Sequence, residues 1–157
     1  MATAVFAAGC FWGVEAWFER INGVEQTRVG YSGGNVEKPS YELVKTGTTG
    51  HAESVKVEFD SEKISYGELV DAFFECHNPT TRNRQGEDVG SQYRSIIFYT
   101  NETQRKAAEQ KLTEWNQKGV FQTEIVTEIE EAGPFYDAEE YHQKYLQKNG
   151  TASCGIV

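Results

Sequence analysis

The sequence predicts an α+β fold: two layers, with a mixed sheet on one side and flanking helices on the other. Three observations carry this. Val55, Val57 and Phe59 alternate with Lys56, Glu58 and Asp60, the period of a half-buried strand. Phe11, Val14, Trp17, Phe18 and Ile21 recur at three- and four-residue steps, the stripe of an amphipathic helix. Segments of the two kinds also succeed one another as strand, helix, strand, strand, helix, strand, then helix and strand again.

Taken in order, Thr3 to Ala8 is a short apolar run ending at Gly9, which suits a central strand covered on both faces. The helix beginning after Cys10 is expected to stop at Asn22-Gly23, glycine supplying a left-handed cap. Gln26 to Tyr31 reads as a strand, followed by a Ser-Gly-Gly-Asn loop and a brief helical turn over Tyr41 to Lys45. After the strand around Val55, Ser65 to His77 reads as a helix opened by a Ser65/Glu68 capping box and ended by Asn78-Pro79. A polar loop leads to a strand over Tyr93 to Thr100. Glu102 to Lys118 is a long helix turning Ala107, Ala108, Leu112 and Trp115 inward. Thr123 to Glu128 reads as a further strand. A last helix starts near Asp137, carries Tyr141, Tyr145 and Leu146, and stops at Asn149-Gly150. The first six elements match the split β-α-β order of ferredoxin-like folds. One domain over residues 1–157 is expected, with 151–157 a mobile tail.

Composition narrows the function. With 24 acidic against 15 basic side chains, the net charge of −9 repels phosphate, so neither nucleic acid nor an anionic membrane is an expected partner. No stretch approaches the ~20 apolar residues of a membrane span, and the apolar N-terminus lacks the basic start of a signal peptide. A cytoplasmic location follows as the default. Three cysteines are too few and too scattered for a disulfide scaffold, and a chain of this length needs none. At this point they could be core residues, ligands or nucleophiles.

Cys10 stands where the first strand hands over to the first helix. Unbonded N–H groups and the positive end of the helix dipole favour a thiolate there. Gly9 permits the tight turn, and Phe11 and Trp12 could wall a small apolar pocket.

Gly9-Cys10-Phe11-Trp12-Gly13 resembles the signature of the type A peptide methionine sulfoxide reductases. Further blocks resemble that family in the same order: Gly30-Tyr31-Ser32-Gly33-Gly34, Pro39-Ser40-Tyr41-Glu42, Thr49-Gly50-His51-Ala52-Glu53, Gln92-Tyr93-Arg94-Ser95 and Tyr141-His142-Gln143. The resemblance spans nearly the whole chain. It implies thiol-dependent reduction of the S-epimer of methionine sulfoxide, free or within peptides and proteins. Cys10 would be the nucleophile and become a sulfenic acid, and Glu53 would be the proton donor. Tyr41 and Tyr93 would bond the sulfoxide oxygen, and Phe11 and Trp12 would hold the methyl group. Asp88 would orient its neighbours in the site, with His142 behind it. Glu53 could act as an acid at neutral pH only if burial raised its pKa by ~2–3 units.

The resemblance further implies a resolving cysteine near the C-terminus. Cys154, in the expected tail, would close a disulfide on Cys10, to be recycled by thioredoxin or a dithiol such as dithiothreitol. Cys76, one step off an apolar stripe, reads as packing, with a redox role the alternative. The family often has His-Asp-Pro-Thr where this chain has His77-Asn78-Pro79-Thr80. No bound cofactor or metal is expected, and a monomer is. Three rival readings remain: a structural zinc site, which no C-x-x-C or H-x-x-x-H spacing supports; a cysteine hydrolase using His51 or His142 as base; and a non-enzymatic module capturing methionine side chains.

Overall fold

The computed structural model describes residues 2–149. The expected tail and Cys154 lie outside the described residues. Strand β1 (Ala2–Ala8) leads into helix α1 (Phe11–Glu19), strand β2 (Val24–Ser32), the short helix α2 (Tyr41–Lys45), strand β3 (Ala52–Phe59) and helix α3 (Tyr66–Glu75). Two two-residue strands, β4 (Arg84–Gln85) and β5 (Asp88–Val89), precede a 3₁₀ turn at Ser91–Tyr93 and strand β6 (Ser95–Tyr99). Helix α4 (Glu102–Lys118), strands β7 (Glu128–Glu131) and β8 (Phe135–Asp137), a 3₁₀ turn at Glu140–His142 and helix α5 (Tyr145–Asn149) complete the described chain.

Among the described residues, six strands form one mixed sheet in the order β7-β6-β1-β3-β2-β8. Its central four, β6-β1-β3-β2, are antiparallel throughout, while β7 pairs β6 in parallel. β3 therefore lies between the β1 and β2 that α1 connects, which is the split β-α-β expected from element order.

β1 is buried on both faces. Ala4, Phe6 and Ala8 face the main core with α1 and α3, whereas Val5 and Ala7 join Ala52, Ile96 and Phe98 on the opposite face. Phe6 is the hub, stacked on Phe18 of α1 at 5.1 Å and on Phe73 of α3 at 5.2 Å. Phe6→Ala is expected to destabilise the fold by ~3–5 kcal/mol through the cavity it leaves between the two helices, read as a drop in urea midpoint at unchanged slope.

The Ser65/Glu68 capping box forms as expected: Glu68 N–H donates to Ser65 Oγ at 3.1 Å and Ser65 N–H to Glu68 Oε1 at 3.0 Å. Other elements differ from the sequence expectation. α1 ends at Glu19 with Arg20 as its cap, and Gly23, at φ +104°, instead shapes the turn into β2. Tyr93 lies in the 3₁₀ turn before β6, not in the strand. Asp88 lies in β5 and not in an irregular loop. The strand expected at Thr123 to Glu128 starts only at Glu128. The segment before it bonds elsewhere, Ile125 N–H to Asn116 Oδ1 and Val126 N–H to the Pro79 carbonyl. The expected last helix is broken into a strand, a 3₁₀ turn and α5, with Lys144 between the last two at a φ of +56° that no helix allows.

Candidate active site

The site begins with a helix start that its own N-cap residue does not satisfy. Gly9 at φ +102° turns the chain out of β1, and Cys10 occupies the N-cap of α1 without a side-chain cap bond. The cap comes from the sheet: Glu53 Oε1 accepts from Phe11 N–H at 3.2 Å. The period of two along β3 puts Glu53 on the same face as Val55, Val57 and Phe59, the face α1 covers. A carboxyl group thus ends an otherwise apolar row, 2% exposed.

That position decides its protonation. Burial pushes the Glu53 carboxyl up to about 8, with the charge of Asp88 adding to the rise and the Phe11 N–H opposing it. Loss of hydration outweighs the helix-terminus bond, so at neutral pH the group is mainly the neutral acid.

The aromatic groups converge on the same point. Phe11 and Trp12 both lie against the ring of Tyr41, at 6.4 and 6.5 Å between centroids, and His142 packs on Tyr41 at 4.3 Å and on Phe11 at 5.3 Å. Burial and the Glu53 charge raise the Tyr41 phenol well above its ordinary value, and burial, Glu53 and Asp88 raise that of Tyr93 to about 12. Both stay neutral O–H donors across the physiological range. Asp88 is itself raised, by partial burial and by Glu87. Cys10, Phe11, Trp12, Tyr41, Glu53, Asp88, Tyr93 and His142, dispersed over more than 130 positions of sequence, are thereby brought to the N-terminal end of α1.

Two further residues belong to this arrangement. Glu139 accepts from the Tyr31 phenol at 2.9 Å and from the Tyr41 N–H at 3.0 Å, tying the start of α2 to β2. Burial favours its protonated form, but these bonds prevail and hold its carboxyl below the ordinary value. Tyr31, fully buried and opposite Glu53 in the β2/β3 register, stood in a family-like block but read only as a strand residue. Glu139 lay in an expected helix start and carried no signal.

The structure also weighs the rival chemistries. His51 accepts from Gly34 N–H through Nδ1 at 3.0 Å and bonds the Val36 carbonyl through Nε2 at 2.7 Å, so both nitrogens hold the loop after β2. His142 accepts the indole N–H of Trp12 at Nδ1. Both ring nitrogens of His51 and the Nδ1 lone pair of His142 are thus engaged elsewhere. Among the described residues no cluster of three or more metal-ligating side chains occurs. Cys76 is a free, buried thiol, its pKa pushed up to about 12 by burial, the environment of a packing residue. No helix among the described residues is long and apolar enough to cross a membrane.

Comparison with known proteins gives the same direction. The family model described as peptide methionine sulfoxide reductase matches residues 2–157. The chain is 56% identical over 154 residues to the peptide methionine sulfoxide reductase MsrA of Methanothermobacter thermautotrophicus, covering 98% of this chain and 91% of that one. Its fold is similar to that of Mxr1 from Saccharomyces cerevisiae in reduced form, with a TM-score of 0.91 at 39% identity over 98% of this chain and 88% of that one. Mxr1 in complex with Trx2 is a more distant structural match, with a TM-score of 0.68 at 26% identity, covering 99% of this chain and 88% of that one. The family model over nearly the whole chain and a relative of this identity settle the family: the chain belongs to the peptide methionine sulfoxide reductases.

Proposed function

We propose that this enzyme reduces the S-epimer of methionine sulfoxide, in proteins, peptides or as the free amino acid, with Cys10 as nucleophile. The observation that carries the mechanism is the buried, largely protonated Glu53 bonded to the N–H of the residue after Cys10. Sulfoxide oxygen is a poor leaving group until it is protonated. A neutral carboxylic acid beside the attacking thiolate supplies that proton, and the neutral phenols of Tyr41 and Tyr93 supply hydrogen bonds as charge grows on the oxygen. Phe11 and Trp12 receive the methyl group. With methyl and oxygen assigned to different walls, only one configuration at sulfur turns toward Cys10. Asp88 helps keep Glu53 protonated by its charge.

The electron count closes in two stages. The Cys10 thiolate attacks the sulfoxide sulfur and the S–O oxygen takes the proton from Glu53. The hydroxyl then passes from the substrate sulfur to the Cys10 sulfur as the S–S bond between them breaks, leaving methionine and Cys10 as a sulfenic acid, the substrate sulfur reduced by two electrons and the Cys10 sulfur oxidised by two. The Cys154 thiol then attacks the sulfenic sulfur, water departs, and a Cys10–Cys154 disulfide remains for a dithiol to reduce. The Mxr1–Trx2 complex supports a protein reductant of the thioredoxin type. The reading takes the chain as a single-domain cytoplasmic monomer that binds no cofactor and repairs oxidised proteins.

Cys154→Ser is expected to retain one stoichiometric burst of methionine and lose steady-state turnover with thioredoxin, as read by chromatography of the product. Undiminished turnover would instead make Cys76 the resolving thiol. Mass spectrometry of the oxidised protein identifies the partner of Cys10 directly.

A further inference from the structure

The wall assigned to the substrate's methyl group makes its one side-chain hydrogen bond, among the described residues, to an imidazole behind it. Trp12 is half-buried, and two contacts fix its indole. Nε1–H donates to His142 Nδ1 at 2.9 Å, and the ring lies on Tyr145 with centroids 3.8 Å apart, 8° from parallel. His142 is 1% exposed and packed against Phe11, Trp12, Tyr41 and Tyr141. An indole N–H can only donate, so Nδ1 carries a lone pair and the ring's one hydrogen sits on Nε2. Nε2 is buried with no hydrogen-bond partner among the described residues. A second proton could enter only at Nδ1, where it would face the indole N–H donor to donor.

We infer that His142 is a positioning residue for substrate binding: as a neutral acceptor at Nδ1 it locks the plane of Trp12 as the methyl wall, and a proton at Nδ1 releases it. This rests on the reading of Trp12 as that wall. The effect falls on substrate affinity, because the proton donor, Glu53, is anchored separately to Phe11. The surroundings of the imidazole favour the locked state. Burial lowers its pKa from the ordinary 6.5, Lys148 on α5 lowers it further, and Glu139 on its own segment opposes them. From α1 the uncharged Phe11 and Trp12 pack against the imidazole, and the buried Glu15 carboxylate reaches its segment at the Lys144 N–H, 2.8 Å away. α2 presents the neutral Tyr41 with Glu42 nearby, and the adjacent Tyr141 is also a neutral phenol. The lock is therefore complete at neutral pH and is lost as pH falls through the lowered value.

The test is steady-state reduction of a methionine-S-sulfoxide peptide by the full chain at saturating dithiothreitol. His142→Phe, which cannot accept, is expected to raise KM by about tenfold with kcat within about twofold. His142→Gln, whose amide oxygen can accept, is expected to recover most of the loss. In a Trp12→Phe background, which has no N–H to hold, His142→Phe should add less than about twofold. Wild-type KM should rise as pH falls below 6.5, while that of Trp12→Phe stays flat. Additive effects in the double variant, or a loss confined to kcat, overturn the inference. Should Trp12→Phe alone leave KM unchanged, the methyl-wall reading itself fails. If His142→Phe does not fold, the two pH profiles decide, and a parallel rise in both proteins overturns the role.

Discussion

Replacing Cys10 by serine is expected to abolish methionine release from a methionine-S-sulfoxide peptide, by at least ~10³-fold, even with dithiothreitol in excess. The loss is chemical and not steric, since serine fits wherever cysteine does. A hydroxyl at this helix N-terminus remains un-ionised at neutral pH, and an oxygen nucleophile has no accessible oxidised state, comparable to the sulfenic acid, through which to give up the two electrons the sulfoxide must receive. The same variant separates the enzyme from a module that merely captures methionine side chains, because the apolar wall of Phe11 and Trp12 is untouched and peptide binding should persist. The readout is methionine by chromatography, beside binding of the same peptide. Measurable turnover in Cys10→Ser would remove Cys10 from the mechanism and leave the protonation of Glu53 without a reaction to serve.

Much of this site was legible in the sequence because its central part is local. Gly9, Cys10, Phe11 and Trp12 are consecutive, and a strand-to-helix junction with glycine before it dictates both the turn and the electrostatics of the residue at the cap. The split β-α-β order was legible for a related reason, since β1 is a short apolar run, α1, β3 and α3 each carry a clear period, and α3 has a complete capping box. What escaped was set by tertiary pairing. Residues 123–127 have strand-like composition, yet their backbone groups are claimed by Asn116 and Pro79, and the parallel pairing with β6 begins only at Glu128. The last segment reads as one helix, but Gln143 is drawn away to bond both backbone groups of Val29, and Glu15 captures the Lys144 N–H at 2.8 Å. Glu139 escaped for the same reason: its two partners, Tyr31 and Tyr41, lie about a hundred residues away.

Glu53→Gln is expected to change both the stability profile and the rate, and the two effects have a common origin. In the folded chain the carboxyl titrates at about 8, against an ordinary value of 4.5. Between those values the native state holds a proton that the unfolded chain has released, so unfolding releases it and stability falls as pH rises through that window. The contribution is fully present below 4.5 and gone above 8. The full displacement corresponds to at most ~5 kcal/mol, and a change of ~2–4 kcal/mol is a realistic expectation once the native state relaxes around the charge. Glutamine keeps the oxygen that accepts from Phe11 N–H and has no proton to lose, so the variant's profile should be flatter. The stability difference, variant minus wild type, should grow from pH 4.5 to pH 9, as measured by urea unfolding. Parallel profiles would show that Glu53 titrates normally. The rate behaves in the opposite sense. Without a proton to give to the departing oxygen, single-turnover methionine formation should fall by ~10²–10³-fold, and the wild-type decline in activity through pH 8 should be missing from what remains. A variant more stable than wild type at pH 9 and far slower at pH 7 would tie both effects to one proton, held at the end of an apolar row because the sheet buries it and spent on the sulfoxide oxygen.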